Sequence, residues 1–202
     1  MRRLPILLAI FFIVSICRSQ DIEQLDFISP FHDGVAAVKK DKHWGFIDDS
    51  GTLIIDFRND LVITKRNEEG YPIFNSGRLL FKEVRDGITY FGYLDKSGKA
   101  IIPARFLNAT DFNDGWAVVL ELVKRQVGTN ELLENPLVSY DYFEAIIDTE
   151  GKVLHYLVDK PVHIALDREY LRRPPAITYK VISNHLVAKL NENKTWSIKK
   201  IE

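Results

Sequence analysis

The feature that most constrains this chain is a short unit that occurs three times in its sequence. Each copy has a Phe-x-x-Gly motif, an apolar run, and then an Asp-x-x-Gly motif between two further apolar runs. The paired motifs are Phe31–Gly34 with Asp48–Gly51, Phe74–Gly77 with Asp95–Gly98, and Phe112–Gly115 with Asp148–Gly151. A period of roughly 50 residues is typical of repeat architectures, in which stacked copies bury the apolar side that one copy cannot bury alone.

Both glycine motifs predict tight turns. An Asp side chain can accept hydrogen bonds from backbone N–H groups two residues on, and Gly readily adopts the left-handed conformation that closes a hairpin. The Phe-x-x-Gly motif predicts a second tight turn that follows a buried aromatic residue. The runs between turns are rich in Val, Ile, Phe and Tyr and are about five to eight residues long, which favours strands. We therefore predict an all-β fold of tandem antiparallel hairpins or meanders, arranged as an open curved array or like a small propeller.

A small residue recurs within the second strand of each unit. Glycine weakens a strand, so its recurrence predicts a neighbour that packs too closely for a side chain. The position is occupied in turn by Gly45, Gly92, Ala145 and, in a degenerate fourth copy, Ser197. The preceding residues are Trp44, Phe91, Glu144 and Trp196. We expect the three aromatic rings to pack over the adjacent hairpin or unit, and the third unit, which has Glu144, to pack differently.

The units are separated by insertions, which in repeat proteins usually form loops. We place a repeat domain over residues 20–202. Its units are predicted over about 25–56, 71–103 and 109–155, with the degenerate copy over 179–200. The main insertions, 121–140 and 155–178, are predicted to be loops, and residues 164–173 to form a short helix that ends before Pro174.

The first nineteen residues have the three parts of a secretory signal peptide. A basic start is followed by an apolar run from Leu4 to Ile16, and small residues precede Gln20. The apolar run is shorter than the ~20 residues needed to span a bilayer, which favours a signal peptide over a membrane anchor. We therefore expect no transmembrane segment in the mature chain. An alternative is that Cys17 is the lipidated N-terminus of a lipoprotein. Ile16 disfavours this, because a lipoprotein cleavage site normally has a small residue just before the cysteine. We expect export to the periplasm, the outer membrane or the medium.

Composition excludes several classes of protein. The 27 Lys and Arg residues are balanced by 28 Asp and Glu, which argues against an electrostatic grip on nucleic acid. The apolar share of 46% and the aromatic share of 11% are those of a folded domain. The single Cys lies within the predicted signal peptide, so the core must stabilise the domain without disulfides.

The repeated unit resembles that of the WG (or KWG) repeat family. The segments that carry the resemblance are His43–Asp48, Phe91–Lys99 and Ile101–Pro103. The third copy keeps the turns but lacks the Trp-Gly pair, and the fourth keeps only a trace. The resemblance implies a β-rich repeat architecture, often in exported bacterial proteins, and it implies neither catalytic residues nor a defined ligand.

The sequence assigns no catalytic residue, no cofactor and no metal site. The aligned Asp48, Asp95 and Asp148 fit turn capping better than an acidic ligand set. The leading prediction is a non-enzymatic module that binds or scaffolds a protein, peptide or glycan at the bacterial cell envelope. The alternative is an envelope hydrolase acting on glycan or peptide. A deep pocket with converging Asp, Glu and His would favour the enzyme, whereas a shallow face with clustered aromatics would favour the binder. The aromatic candidates for such a face are Trp116, Tyr140, Tyr142, Tyr156 and Tyr179.

Overall fold

The structure is a computed structural model, and all of its regular elements are β-strands. It describes residues 22–66, 69–130, 135–183 and 185–201. The predicted signal peptide and Cys17 lie outside the described residues. Within the described ranges there is no helix, and thus no helical segment that could cross a membrane. The all-β prediction is confirmed.

Four antiparallel sheets of three or four strands follow one another along the chain, and we call them the first to fourth units. The first unit consists of β1 (Phe27–Ile28), β2 (Val35–Lys40), β3 (His43–Asp48) and β4 (Leu53–Arg58). A small hairpin follows, formed by β5 (Thr64–Arg66) and β6 (Glu69–Tyr71). The second unit consists of β7 (Leu79–Arg85), β8 (Ile88–Leu94) and β9 (Ala100–Phe106). The third consists of β10 (Ala117–Asn130), β11 (Asn135–Ile147), β12 (Val153–Tyr156) and β13 (Val162–Ile164). The fourth consists of β14 (Tyr179–Ser183), β15 (Leu186–Leu190) and β16 (Trp196–Lys200).

The Asp-x-x-Gly turns are built alike in the first three units. In the first, Asp48 Oδ1 accepts hydrogen bonds from the backbone N–H groups of Ser50 (3.0 Å) and Thr52 (2.9 Å). Asp95 and Asp148 accept the same pair of bonds from the residues two and four positions on. The turn glycines have φ angles of 81°, 79° and 82°, in the left-handed region. The prediction that these carboxylates cap turns is therefore confirmed.

The Phe-x-x-Gly motifs form two-residue hairpin turns. In the first, His32 and Val35 exchange both backbone hydrogen bonds (2.8 and 3.0 Å), and the two residues between them have positive φ. Positive φ at both central residues defines the type I′ turn, whose twist matches that of the flanking strands. The aromatic residue before the turn is buried at Phe74 and Phe112, as expected, but Phe31 is 51% exposed. The prediction of a buried aromatic is therefore wrong for the first unit.

The small residue in the second strand allows the next strand to cross it closely. A Cβ atom on Gly92 would lie 2.5 Å from the carbonyl oxygen of Ile102, which is in β9. A Cβ atom on Gly45 would lie 2.9 Å from the carbonyl oxygen of Ile55, which is in β4. The strand register shifts at both crossings. The expected close neighbour is thus the main chain of the unit's own next strand.

Neighbouring units stack through an aromatic pair that recurs. Phe46 of the first unit packs edge-on against Phe74 of the second, with ring centroids 4.9 Å apart. Tyr93 of the second unit packs in the same way against Phe112 of the third, at 4.7 Å. The four residues are at most 3% exposed, so these pairs form the centre of the layers between sheets.

A second contact between units also recurs. The Asp-x-x-Gly turn of each following unit lies against an isoleucine of the preceding one. A Cβ atom on Gly98 would lie 3.5 Å from Ile55, and one on Gly151 would lie 3.1 Å from Ile102. Ile55 and Ile102 occupy the same position in their units. The stacking geometry is therefore repeated along with the sequence.

The third and fourth units meet differently. The buried carboxylate of Glu144, at the position of Trp44, accepts hydrogen bonds from the backbone N–H groups of Thr178 (2.7 Å) and Tyr179 (2.6 Å). Its second oxygen accepts a bond from the Thr178 hydroxyl at 2.8 Å. A carboxyl group held by hydrogen bonds here takes the place of the ring, so the third unit packs differently, as expected from the sequence.

Two further expectations are corrected. Trp196 was predicted to be packed like Trp44, but its side chain is 51% exposed, whereas Trp44 is 6% exposed. The short helix predicted over residues 164–173 is absent. In its place the chain leaves β13 and makes a turn, with a hydrogen bond from Leu171 N–H to Asp167 O.

Candidate functional site: the outer face of the inserted ribbon

The two main insertions form one structure, because each supplies strands that pair with the other. Strands β10 and β11 pair over their full length, from Ala117 opposite Ile147 to Asn130 opposite Asn135. Strand β13, from the second insertion, pairs with β11 at residues 140–142. We call residues 121–130, 135–144 and 162–164 the inserted ribbon. The prediction that both insertions form loops is wrong, because most of 121–140 and part of 155–178 are strands.

The inserted ribbon has two different faces, since side chains alternate along a strand. One face carries Leu122, Tyr142 and Ile164, which pack against the main hydrophobic core. The register places the alternate side chains on the other side, which we call the outer face. Its members are Glu121, Val123, Arg125, Ser139, Asp141, Phe143 and His163, with Tyr156 of β12 beside them.

A charged cluster occupies one end of the outer face. Arg125 donates hydrogen bonds to Asp141 Oδ2 from Nε, at 2.8 Å, and from Nη2. His163 Nδ1 lies 3.3 Å from the other carboxylate oxygen. The hydrogen bond from Arg125 chiefly, and that from His163, lower the pKa of Asp141 below its usual value. The Asp141 side chain is only 4% exposed, so Arg125 and His163 are the groups that this cluster presents to solvent.

The cluster contains Ser, His and Asp, but it lacks the geometry of a catalytic triad. A triad needs one imidazole nitrogen to face the carboxylate and the other to face the serine hydroxyl. Here both Asp141 and Ser139 Oγ lie 3.3 Å from the same nitrogen, Nδ1 of His163. His163 therefore cannot relay a proton from Ser139 in this arrangement.

An aromatic pair occupies the other end of the outer face. The ring of Tyr156 is 54% exposed and lies 5.0 Å from the ring of Phe143. Its hydroxyl donates a hydrogen bond of 3.1 Å to Glu121. Burial, followed by the charge of Glu121, raises the pKa of the Tyr156 hydroxyl. An exposed ring can stack on an apolar surface, and the carboxylate beside it can accept hydrogen bonds.

The other aromatics named from the sequence do not join this face as an exposed group. Tyr179 is buried, and its hydroxyl bonds to Leu157 O. The remaining three, Trp116, Tyr140 and Tyr142, are half-buried. Sequence reasoning missed the contribution of Arg125 and His163. Residues 121–130 do not alternate between apolar and polar types, so the sequence carried no clear signal for this strand or its outer face.

A groove elsewhere on the surface has fewer groups available to bind a ligand. An open groove of about 470 Å³ contains the carboxylates of Asp60 and Glu83. Asp60 is held by two hydrogen bonds of 2.6 Å from Arg58, so it is already paired. Across the described part of the chain, no group of three or more His, Cys, Asp or Glu residues is placed to hold a metal ion.

Comparison with known families agrees with the repeats seen in the structure. The family model described as WG containing repeat matches residues 22–42, 44–63 and 91–121. These three segments are therefore similar to the WG repeat. They cover the strands of the first unit except His43, and they run from β8 into β10. Searches of curated proteins and of solved structures found no match.

Proposed function

We propose that this protein is an exported, non-enzymatic WG-repeat module that binds a peptide or glycan ligand through the outer face of its inserted ribbon. The observation that carries the proposal is the exposed ring of Tyr156 beside Phe143, on the same strand surface as Arg125 and His163. Aromatic and Arg side chains are the residues most enriched where proteins bind partners. The face is thus chemically suited to recognition.

The platform beneath these side chains also supports a binding role. Leu122, Tyr142 and Ile164 attach the ribbon to the core, so the outer face is held by a sheet rather than by loops. Side chains positioned in this way lose less conformational freedom when a ligand binds. The face combines an aromatic pair with the Glu121 carboxylate, the Arg125 guanidinium and the His163 imidazole. This combination suits a ligand that is partly apolar and partly polar.

Export to the bacterial cell envelope is the second part of the proposal, and it is supported by the sequence of residues 1–19. Mass spectrometry of the chain recovered from cell fractions tests it. A mature N-terminus at Gln20 in an envelope or secreted fraction is the expected result. A full-length chain in the cytosol would contradict export.

Binding is tested with purified wild-type chain as bait in envelope extracts, with capture quantified by mass spectrometry. Tyr156→Ala is the test variant. Tyr170→Ala is the matched control, because Tyr170 is 79% exposed and lies outside the inserted ribbon. We expect Tyr156→Ala to reduce capture of a specific ligand at least tenfold and Tyr170→Ala to leave it unchanged. Equal capture by both variants would refute the assignment to this face.

A further inference from the structure

We infer that copies of this chain associate head to tail, with the first unit of one copy covering the exposed face of the fourth unit of the next. The head patch is Ile28 and Phe31 of the first unit. The tail patch is Trp196 and Ile198 of the fourth. The contact would repeat, between molecules, the one that joins the units within the chain. This inference goes beyond the proposed ligand binding and uses different residues.

The tail patch consists of positions that every other unit buries. Ala188 pairs with Ile198 in the fourth unit as Ala37 pairs with Phe46 in the first. The residues equivalent to Ile198 are Phe46, Tyr93 and Ile146, which are at most 1% exposed. Ile198 is 69% exposed. Each earlier unit packs this face against the next unit. In the fourth unit the same face is exposed.

Trp196 extends the same surface. The equivalent residues Trp44, Phe91 and Glu144 are all less than 9% exposed, whereas Trp196 is 51% exposed. Leu190, which is 38% exposed, pairs with Trp196 across the strands. Large apolar side chains that lie together on an exposed surface mark interaction sites.

The head patch is the other half of the same contact. Phe31 is equivalent to Phe74 and Phe112, the rings that cover Phe46 and Tyr93 of the preceding units. Those two rings are buried, whereas Phe31 is 51% exposed; the fourth unit has the smaller Ile182 at this position, and it is 41% exposed. Ile28, three residues earlier, is 59% exposed, whereas its equivalents Tyr71, Ala109 and Tyr179 are at most 9% exposed.

The surroundings of the two patches carry opposite charges. Exposed acidic residues lie in the segment that leads to the head patch, namely Glu23 and Asp26. Exposed lysines lie in the strands that carry the tail patch, namely Lys180, Lys199 and Lys200. The ammonium of Lys180 lies 4.3 Å from the centre of the Trp196 ring. Opposite charges around complementary apolar patches favour this pairing over head-to-head or tail-to-tail contacts.

A contact between two different patches is heterologous, so it produces rings or open filaments rather than a symmetric dimer. Sedimentation velocity of the purified chain tests the inference with two blocked variants. Phe31→Glu blocks the head and leaves the tail free. Ile198→Glu blocks the tail and leaves the head free. Both residues are exposed, so both variants should keep the wild-type thermal unfolding midpoint, which is measured first.

We expect the wild-type chain to form oligomers larger than dimers as its concentration rises towards about 1 mM, the weak end of specific association. Each blocked variant alone should remain monomeric. An equimolar mixture of the two should form a one-to-one dimer, because one free tail then meets one free head. The control Tyr170→Glu should associate like the wild type.

Three results would overturn the inference: a monomeric wild-type chain at about 1 mM, continued association of either blocked variant, or a mixture that remains monomeric. Ligand capture by the blocked variants separates this inference from the proposed function. Because Tyr156 is intact in both, capture should equal that of the wild type whether or not the chain associates.

Discussion

The close crossing at Gly92 gives a sharp prediction about stability. In Gly92→Ala the new Cβ would lie 2.5 Å from Ile102 O, 2.6 Å from Ala104 N and 2.7 Å from the carbonyl carbon of Pro103. A normal carbon–oxygen contact is about 3.3 Å, so the main chain of β9 must move away by about 0.8 Å. Overpacking of this kind costs about 3 kcal/mol at the upper end of its usual range, since main-chain atoms must move. Replacing glycine also reduces the conformational freedom of the unfolded chain, which stabilises the folded state by about 0.5–1 kcal/mol. The net loss in the free energy of unfolding is then about 2 kcal/mol.

The equivalent change at Gly45 should cost less. Its nearest main-chain atom would be 2.9 Å away, and the next contacts, at 3.2 and 3.4 Å, are the ends of the Leu53 and Phe57 side chains. Side-chain ends can move cheaply, so we expect a net loss of about 1 kcal/mol or less. The control is Ser197→Ala, at the same position of the fourth unit, where the exposed site should tolerate the change within about 0.5 kcal/mol.

Urea unfolding followed by far-ultraviolet circular dichroism measures these differences as shifts in the midpoint at constant slope. In a thermal scan, a loss of about 2 kcal/mol lowers Tm by roughly 4–8 °C for a domain of this size. A Gly92→Ala variant as stable as the wild type would contradict the close crossing described here. So would a Gly45→Ala variant that is less stable than Gly92→Ala.

Three other predictions use the contacts between and within units. Phe74→Ala removes a buried ring and should cost about 3–5 kcal/mol in urea unfolding, whereas Phe31→Ala should cost less than about 0.5 kcal/mol; equal losses would contradict the packing described. Glu144→Ala leaves the donors of Thr178 without partners and should speed hydrogen exchange in β14 at least tenfold, with Glu144→Gln milder; unchanged exchange would rule out its role in holding the fourth unit. Hydrogen bonds, chiefly from the Ser50 side chain and then from the Thr52 backbone, lower the pKa of Asp48 below 3.8. The stability that the ionised Asp48 adds is therefore fully present above pH 3.8, and it is lost as the pH falls through the folded-state pKa. The stability difference between wild type and Asp48→Asn, measured by urea unfolding from pH 6 down to pH 2, should therefore shrink with acid, and a constant difference would contradict this assignment.

The sequence predicts features that depend on local chemistry. The Asp-x-x-Gly turns form as expected because the carboxylate and the N–H groups it bonds are at most four residues apart. The small residues at Gly45 and Gly92 also indicate their close neighbour correctly. That neighbour is the next strand of the same hairpin, so the crossing is fixed within one unit.

Features that depend on distant neighbours were not predicted. Whether Phe31 or Trp196 is buried depends on whether another unit lies against it, and the residue type is the same in either case. The inserted ribbon requires residues 140–142 to pair with β13, about twenty residues further along the chain, and no turn motif indicates that pairing. The predicted helix over 164–173 failed for a similar reason, because its first residue, Ile164, pairs with Tyr140 and is held in a strand.

The contact of Gly98 with Ile55, and of Gly151 with Ile102, has a consequence for how such a chain can change in length. The second unit carries both the glycine that fits its predecessor, Gly98, and the isoleucine that fits its successor, Ile102. Removing or duplicating the complete second unit therefore preserves these glycine–isoleucine contacts, whereas a partial deletion leaves an isoleucine facing the wrong surface. The third unit has His155 at the isoleucine position, so a further copy joined after it would meet an imidazole rather than an aliphatic side chain. Lengthening of this protein is thus easiest between its first and third units.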